Sequence, residues 1–277
     1  MEKSKSGVRF LVFDVESVAD GRLVSRIRFP EESLDDITAV ARYRAELLAK
    51  HQSDFIPYTF QIPIAVVIAK VADDFRLVDL VSLDEPQHRP HVLTDFFWRG
   101  WERYGRPTWV SFNGRTFDMP LMELAAFRFG VSLRAWSGGS GYEAPRNRYN
   151  AKAHLDLCDV LTNFGASRFN GGLNLAASLL GKPGKMDVHG YMVQDLHQQG
   201  AVAEISNYCR CDVLDTYFVF LRTQVLLGNL PLDEEQRIVG ETKAWLEERR
   251  TEQPAYATYL GRWGDWENPW KEASPSP

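Results

Sequence analysis

The stretch "RFLVFDVESV", residues 9–18, reads as a buried β-strand that nevertheless carries two carboxylates, Asp14 and Glu16. In an extended chain the side chains at i and i+2 point to the same face, so these acids lie side by side. They share that face with Val8, Phe10 and Val12, which places them at the open end of an otherwise buried strand. Left bare, each would lose its hydration and repel the other, at several kcal/mol per buried ion. A positive group must therefore meet them, unless the pair is a helix cap or lies on the surface.

Working outward, the strand spans residues 8–16 and is followed by an apolar stripe of helical period over 31–50, from Leu34 to Leu48. "IPIAVVIAKV" (62–71) and "FRLVDLVSL" (75–83) read as two further strands joined by a turn at Asp73 and Asp74. "VLTDFFWRGWERYG" (92–105) is a helix, "TWVSF" (108–112) a strand, and "MPLMELAAFRFG" (119–130) a helix closed by Gly130. Residues 137–150 form a long loop, expected to act as a flap. A short strand in "AHLDLCDV", a helix in "NLAASLLG", a Gly, Lys and Pro-rich loop and a long helix over 202–227 complete a first domain, residues 1–228. Residues 229–277 read as a helical extension with a Trp-rich tail. The order predicts an α/β fold, a mixed sheet with helices packed on it.

Composition narrows the function classes. The chain has 277 residues and a formal net charge of −5, so no overall basic field gathers polyanions. Nucleic-acid binding must be local or assisted by cations. Cys158, Cys209 and Cys211 lack C-x-x-C spacing, which argues against a zinc site and reads as buried thiols in a reducing compartment. No run approaches the roughly 18 apolar residues of a membrane span, and a cytoplasmic protein is expected.

Three further positions carry chemistry. Asp118 stands in "NGRTFDMP", between a strand and a helix, where it is either an N-cap or a functional acid. Tyr208 and Asp212 in "YCRCD" are four apart on a helix, so hydroxyl and carboxylate share one face. A buried tyrosine satisfied by an acid is the plain alternative, and Asp215 rivals Asp212 one turn on. His154 and His189 read as structural, since neither stands four residues before the last acid.

Taken in order, "FDVES", "NGRTFDMP" and "YCRCD" resemble the three exonuclease motifs of the DEDD superfamily, and Y-x-x-x-D resembles its tyrosine subclass, DEDDy. The chain is most similar to predicted 3′-to-5′ exonucleases related to the proofreading domain of family-B DNA polymerases. The likeness covers about residues 8–228 and includes "PYTFQIP", "HLDL", "LNLAASLLGKPGK" and "YCRCDVLDTY". Ser17 stands where threonine commonly follows the first motif's glutamate, and no polymerase domain follows.

The resemblance implies an RNase H-like sheet, two divalent ions and stepwise removal of nucleotides from a 3′ end. By that resemblance Asp14 bridges both ions, Glu16 and Asp212 complete one, and Asp118 serves the other through water. Tyr208 would orient the attacking water, because a phenol with an ordinary pKa near 10 is a poor base. An all-carboxylate site favours Mg²⁺ or Mn²⁺ over zinc, and two ions about 3.5 to 4 Å apart suit phosphodiester hydrolysis.

Candidate substrate contacts are Asn113 and Phe117 beside the second motif, Arg115 within a local excess of bases from Arg99 to Lys152, and Lys185 with Lys182 in "GKPGK". For these the plain readings are a core phenylalanine, solvated helix faces and a solvated loop. The expected partner is a single-stranded DNA 3′ end. Short RNA is the alternative substrate, and a non-catalytic nucleic-acid-binding domain the alternative class.

Overall fold

The computed structural model describes residues 7–184 and 192–270. Five strands, β1 (Val8–Ala19), β2 (Gln61–Ala72), β3 (Leu77–Ser82), β4 (Thr108–Ser111) and β5 (His154–Asp156), form one sheet in the order β3-β2-β1-β4-β5. β1 is central. It pairs antiparallel with β2, as does β2 with β3, and parallel with β4, as does β4 with β5. A strand buried on both faces carries a near-continuous apolar run, which is why β1 and β2 read so clearly.

Helices cover both faces. On one, Val12, Val67 and Val110 pack against the long helix α9 (Val202–Leu226) and its neighbours α7 (Gly172–Ser178), α10 (Leu232–Arg249) and α11 (Pro254–Gly261). On the other, Leu11, Phe13 and Val66 meet α3 (Pro90–Arg103) and α4 (Asp118–Phe129). Each such fully buried aliphatic contributes about 1.5 to 3 kcal/mol. α9 is buried on nearly every side between Ile205 and Gln224, because the sheet lies below it and α10 and α11 lie against it. The 229–261 segment thus shares the core of the sheet.

Two irregularities in β1 alter the expected face and the expected end. The register steps from Val8↔Ala72 to Phe10↔Val71, so Arg9 is the extra residue of a bulge and Val8 crosses to the α3 side. The strand also continues past Glu16 to Ala19, and a second shift separates Glu16↔Ala65 from Ser17↔Pro63, where proline has no N–H for the ladder. The opening beside the acids lies instead toward β4, which pairs with β1 only at Phe10–Val12.

The 20–60 region holds two helices where one is expected. α1 (Gly21–Arg28) starts at an Asp20 cap and α2 (Asp36–His51) at an Asp35 cap, and they enclose a small core of Val24, Phe29, Ala39, Val40, Tyr43 and Ile56. The long loop is tied rather than loose. Arg146 makes a bidentate ion pair with Glu123, and the Asn147 and Asn150 side chains donate to carbonyls within the loop.

Candidate active site

Asp14 and Glu16 project from β1 toward α9, as their alternation with Val15 requires. Their ligand atoms and the Cys209 sulfur all lie within 4.8 Å of one another. The Cys209 thiol donates to the Asp14 carbonyl at 3.4 Å and to its carboxylate at 3.5 Å. Cys211, two residues on, points away to Ala255 on α11. The expectation of an ordinary buried thiol thus misses the position of Cys209; its signal was the step of one residue from Tyr208 on a helix face turned to the sheet.

Asp118 opens α4 without capping it, since the cap position is Phe117 and no side chain caps there. The Asp118 carboxylate instead meets the backbone N–H groups of Val15 and of its own residue, which binds the second motif to the middle of the first. The turn before it is built for this. Asn113 adopts a left-handed φ of 62°, and a Cβ on Gly114 would lie 2.5 Å from Ser111 Oγ and 3.1 Å from the Asp118 carboxylate. Glycine is required there.

Asp156 fixes that turn from behind. Its buried carboxylate accepts from the N–H groups of Asn113 (2.8 Å), Arg115 (2.8 Å) and Cys158 (3.0 Å), the last as N-cap of α6 (Leu157–Thr162). Sequence reading passed over Asp156 although "HLDL" was in view. His154 donates or accepts at Ser111 Oγ (2.8 Å), and burial pushes its pKa down to about 3, so the ring is neutral.

On α9, the Tyr208 hydroxyl hydrogen-bonds Asp212, as the i, i+4 spacing requires. Burial first, then the charges of Asp212, Glu16 and Asp14, raise the Tyr208 pKa far above its ordinary value, so the phenol keeps its proton. Asp215 faces the other way and accepts from the Tyr259 hydroxyl at 2.7 Å. The rivalry with Asp212 is settled by direction.

The electrostatics of the acids follow from burial and crowding. Glu16 is raised well above its ordinary range by desolvation, then by Asp14, Asp212 and Asp118. Asp14 is raised by desolvation and then by Asp118, and Asp118 by desolvation, Asp156 and Asp212. Asp14 and Glu16 stand close enough for each to shift the other. Among the described residues no lysine or arginine forms an ion pair with Asp14, Glu16 or Asp118. Converging, crowded oxygen donors without a cation fit a hard divalent ion.

The candidate substrate contacts fall apart as a group. Asn113 is exposed, with its side chain accepting from Thr116. Phe117 is half-buried, its ring 5.6 Å from that of Phe55. Arg115 is committed to Asp159 (2.8 Å) and the His154 carbonyl (2.6 Å), and Arg99, Arg128 and Arg146 pair with Asp95, Asp20 and Glu123. Lys182 is buried, 4.0 Å from the Trp263 ring and donating to the Gly264 carbonyl at 3.1 Å. The flexible phosphate-touching loop expected there is, at Lys182, a latch on the C-terminal segment. Lys185 and His189 lie outside the described residues.

No described helix is long and apolar enough to cross a membrane. A search of curated proteins found no match. A family model described as predicted 3′-5′ exonuclease related to the exonuclease domain of PolB matches residues 53–263. That span holds Asp118, Tyr208 and Asp212; Asp14 and Glu16 precede it, and the fold brings them to the same place. With the sheet, the acids and this match together, the chain belongs to the family of predicted 3′-5′ exonucleases related to the exonuclease domain of PolB.

Proposed function

We propose that the protein is a metal-dependent 3′-to-5′ exonuclease that removes nucleotides from single-stranded DNA ends. The observation that carries this reading is the convergence of Asp14, Glu16 and Asp118, from a strand and a helix start, with no ion pair to a basic side chain for any of them among the described residues. Such crowding is unfavourable in the metal-free protein and is relieved by a bound cation.

Asp14, Glu16, Asp118 and Asp212 are the residues that would hold Mg²⁺ or Mn²⁺. Bound divalent ions neutralise charge building on the phosphoryl oxygens, favour loss of a proton from water and stabilise the departing 3′ oxygen. Tyr208, protonated and anchored to Asp212, would orient the attacking water by hydrogen bonding and is not itself the base. Asp156 holds Asp118 in register through the turn. The thiols are free, in keeping with a cytoplasmic enzyme.

The test is an end-labelled assay comparing matched single-stranded DNA and RNA. Release of mononucleotides from the 3′ end of DNA with Mn²⁺, stopped by chelation, is expected. No release from either polymer would overturn the reading, and release from RNA alone would move the substrate.

A further inference from the structure

Two loops at the β5 edge of the sheet hold large rings in water. Tyr149, on the loop that precedes β5, is 56% exposed, and Phe164, just past α6, is 49% exposed. Neither ring packs into a hydrophobic core. The two meet each other at 6.0 Å and 60°, and the Arg148 guanidinium lies 5.1 Å from the Tyr149 ring. Phe164 also carries backbone strain, since it and Asn163 adopt left-handed conformations at φ 57° and 51°. A phenylalanine is an outlier in that region, at a cost of about 1 to 2 kcal/mol, and a half-exposed ring gains little burial to offset it.

The surroundings suit a polyanion, although the chain as a whole is negative. Across residues 138–152 and 163–171, Arg146, Arg148, Lys152 and Arg168 face the single acid Glu143. Arg146 is taken by Glu123. Arg148, Lys152 and Arg168 are exposed and form no ion pair among the described residues. The rings are held in place by their backbones: the Asn147 side chain accepts from the Tyr149 N–H and donates to the Gly141 carbonyl, both at 2.9 Å, and the Phe164 N–H donates to the Asp159 carbonyl at 2.7 Å. The patch is apart from the cavity beside Glu16, which none of these residues lines. It is nevertheless close to the acids, because α6 has only six residues, about 9 Å at 1.5 Å each, and its Asp156 cap holds the turn before Asp118.

We propose that Tyr149, Phe164 and Arg148 form a stacking platform that holds the single-stranded part of the substrate upstream of its cleaved 3′ end. The identity of the occupant rests on the exonuclease reading. Rings interleaved with unpaired bases suit single strands in particular, since unpaired nucleobases stack on the rings while phosphates meet the cations, with little regard to sequence.

The test measures the anisotropy of 5′-labelled single-stranded DNA with Ca²⁺ in place of Mn²⁺, comparing a trinucleotide with a dodecanucleotide, so that binding is read without relying on cleavage. The intact protein is expected to hold the longer strand more tightly. In Phe164→Ala that advantage is expected to shrink about 5- to 150-fold, the equivalent of about 1 to 3 kcal/mol for one stacked base, and Phe164→Trp is expected to restore it. Phe164→Gly separates binding from folding. Glycine suits the left-handed backbone, so the unfolding midpoint is expected to hold or rise while the advantage is lost. An equal hold on both strands by the intact protein, or an advantage undiminished in Phe164→Ala and Phe164→Gly, would overturn the platform. A Phe164-dependent advantage in a protein that degrades neither DNA nor RNA would sink the exonuclease reading and leave the platform standing.

Discussion

Helix α9 carries two acids three residues apart that meet opposite surroundings. Asp212 looks toward the crowded carboxylates of β1 and α4. Asp215 looks toward the C-terminal helices, where one carboxylate oxygen accepts from the Tyr259 hydroxyl, the other has no hydrogen-bond partner among the described residues, and burial raises its pKa well above the usual carboxylate range. That second region is a seam in which Glu235 and Lys182 do have partners: Glu235 pairs with Arg222 at 3.1 Å, and Lys182 sits over Trp263 and on the Gly264 carbonyl. Removing one partner from such a pair leaves the other bare and lowers stability, whereas removing one member of the β1 cluster relieves repulsion. The difference teaches that a buried charge matched from within the chain serves the fold, whereas crowded carboxylates without an ion pair among the described residues are placed to take up a cation.

The strongest way to break this comparison is Asp14→Ala. Cleavage is expected to fall below detection, while the metal-free unfolding midpoint holds or rises; turnover near that of the intact protein would remove Asp14 from the site.

Tyr208→Phe comes next. The change keeps the ring and takes away one hydrogen bond, for which a loss of about 10² to 10³ in single-turnover rate is expected. Calorimetric Mn²⁺ affinity should stay the same. A rate within a few-fold of normal would reduce Tyr208 to packing.

Asp156→Ala sharpens the contrast from the other side, because it bares the N–H groups of Asn113, Arg115 and Cys158. At about 1 to 3 kcal/mol for each buried donor left unsatisfied, and about 2 to 4 °C per kcal/mol, the melting midpoint should drop by roughly 10 °C or more. Asp118→Ala, five residues past Asn113, bares the N–H groups of Val15 and of its own residue but relieves repulsion among the acids, so it should lower the midpoint by less. Equal losses in the two variants would erase the distinction between structural and functional acids.

Stability against pH gives a smaller signal. Burial, then the charge of neighbouring acids, pushes Asp14 and Asp118 from 3.8 up to about 7. A carboxyl raised on folding adds stability that is complete below its unfolded pKa and lost as pH rises through its folded one. The metal-free midpoint is therefore expected to fall between pH 4 and pH 7, and Mn²⁺ to restore it most at the upper end. A metal-free midpoint that climbs across that window would contradict the crowding.

The mildest effect is expected of Lys182→Met, which removes a cation–π contact of about 0.5 to 2 kcal/mol from the seam. Thermal unfolding should shift by a few degrees, with cleavage unchanged. Loss of cleavage would tie the seam to the site.

What the sequence revealed depended on periodicity. The i, i+2 acids of β1 and the i, i+4 pair of α9 were readable because strand and helix repeats fix direction locally. The bulge at Arg9 was not, since one extra residue in a strand leaves no mark on composition, and it sent Val8 to the other face. α1 was missed because "GRLVSRIR" buries little beyond Val24 and depends on α2 for its core. Arg115 and Lys182 looked free because ion pairs with Asp159 and contacts with Trp263 are made by distant parts of the chain. Asp156 and Cys209 were in plain view, but their roles follow from which backbone groups they meet.

The central place of β1 in the sheet has a consequence for biosynthesis. The strand that carries the first two acids is translated before either of its neighbours and about 200 residues before α9, so its partners are among the most distant in sequence that the fold uses. On the ribosome Asp14 and Glu16 remain hydrated carboxylates without crowding. Their crowding with Asp118 and Asp212 exists only once α4 and α9 have emerged and docked.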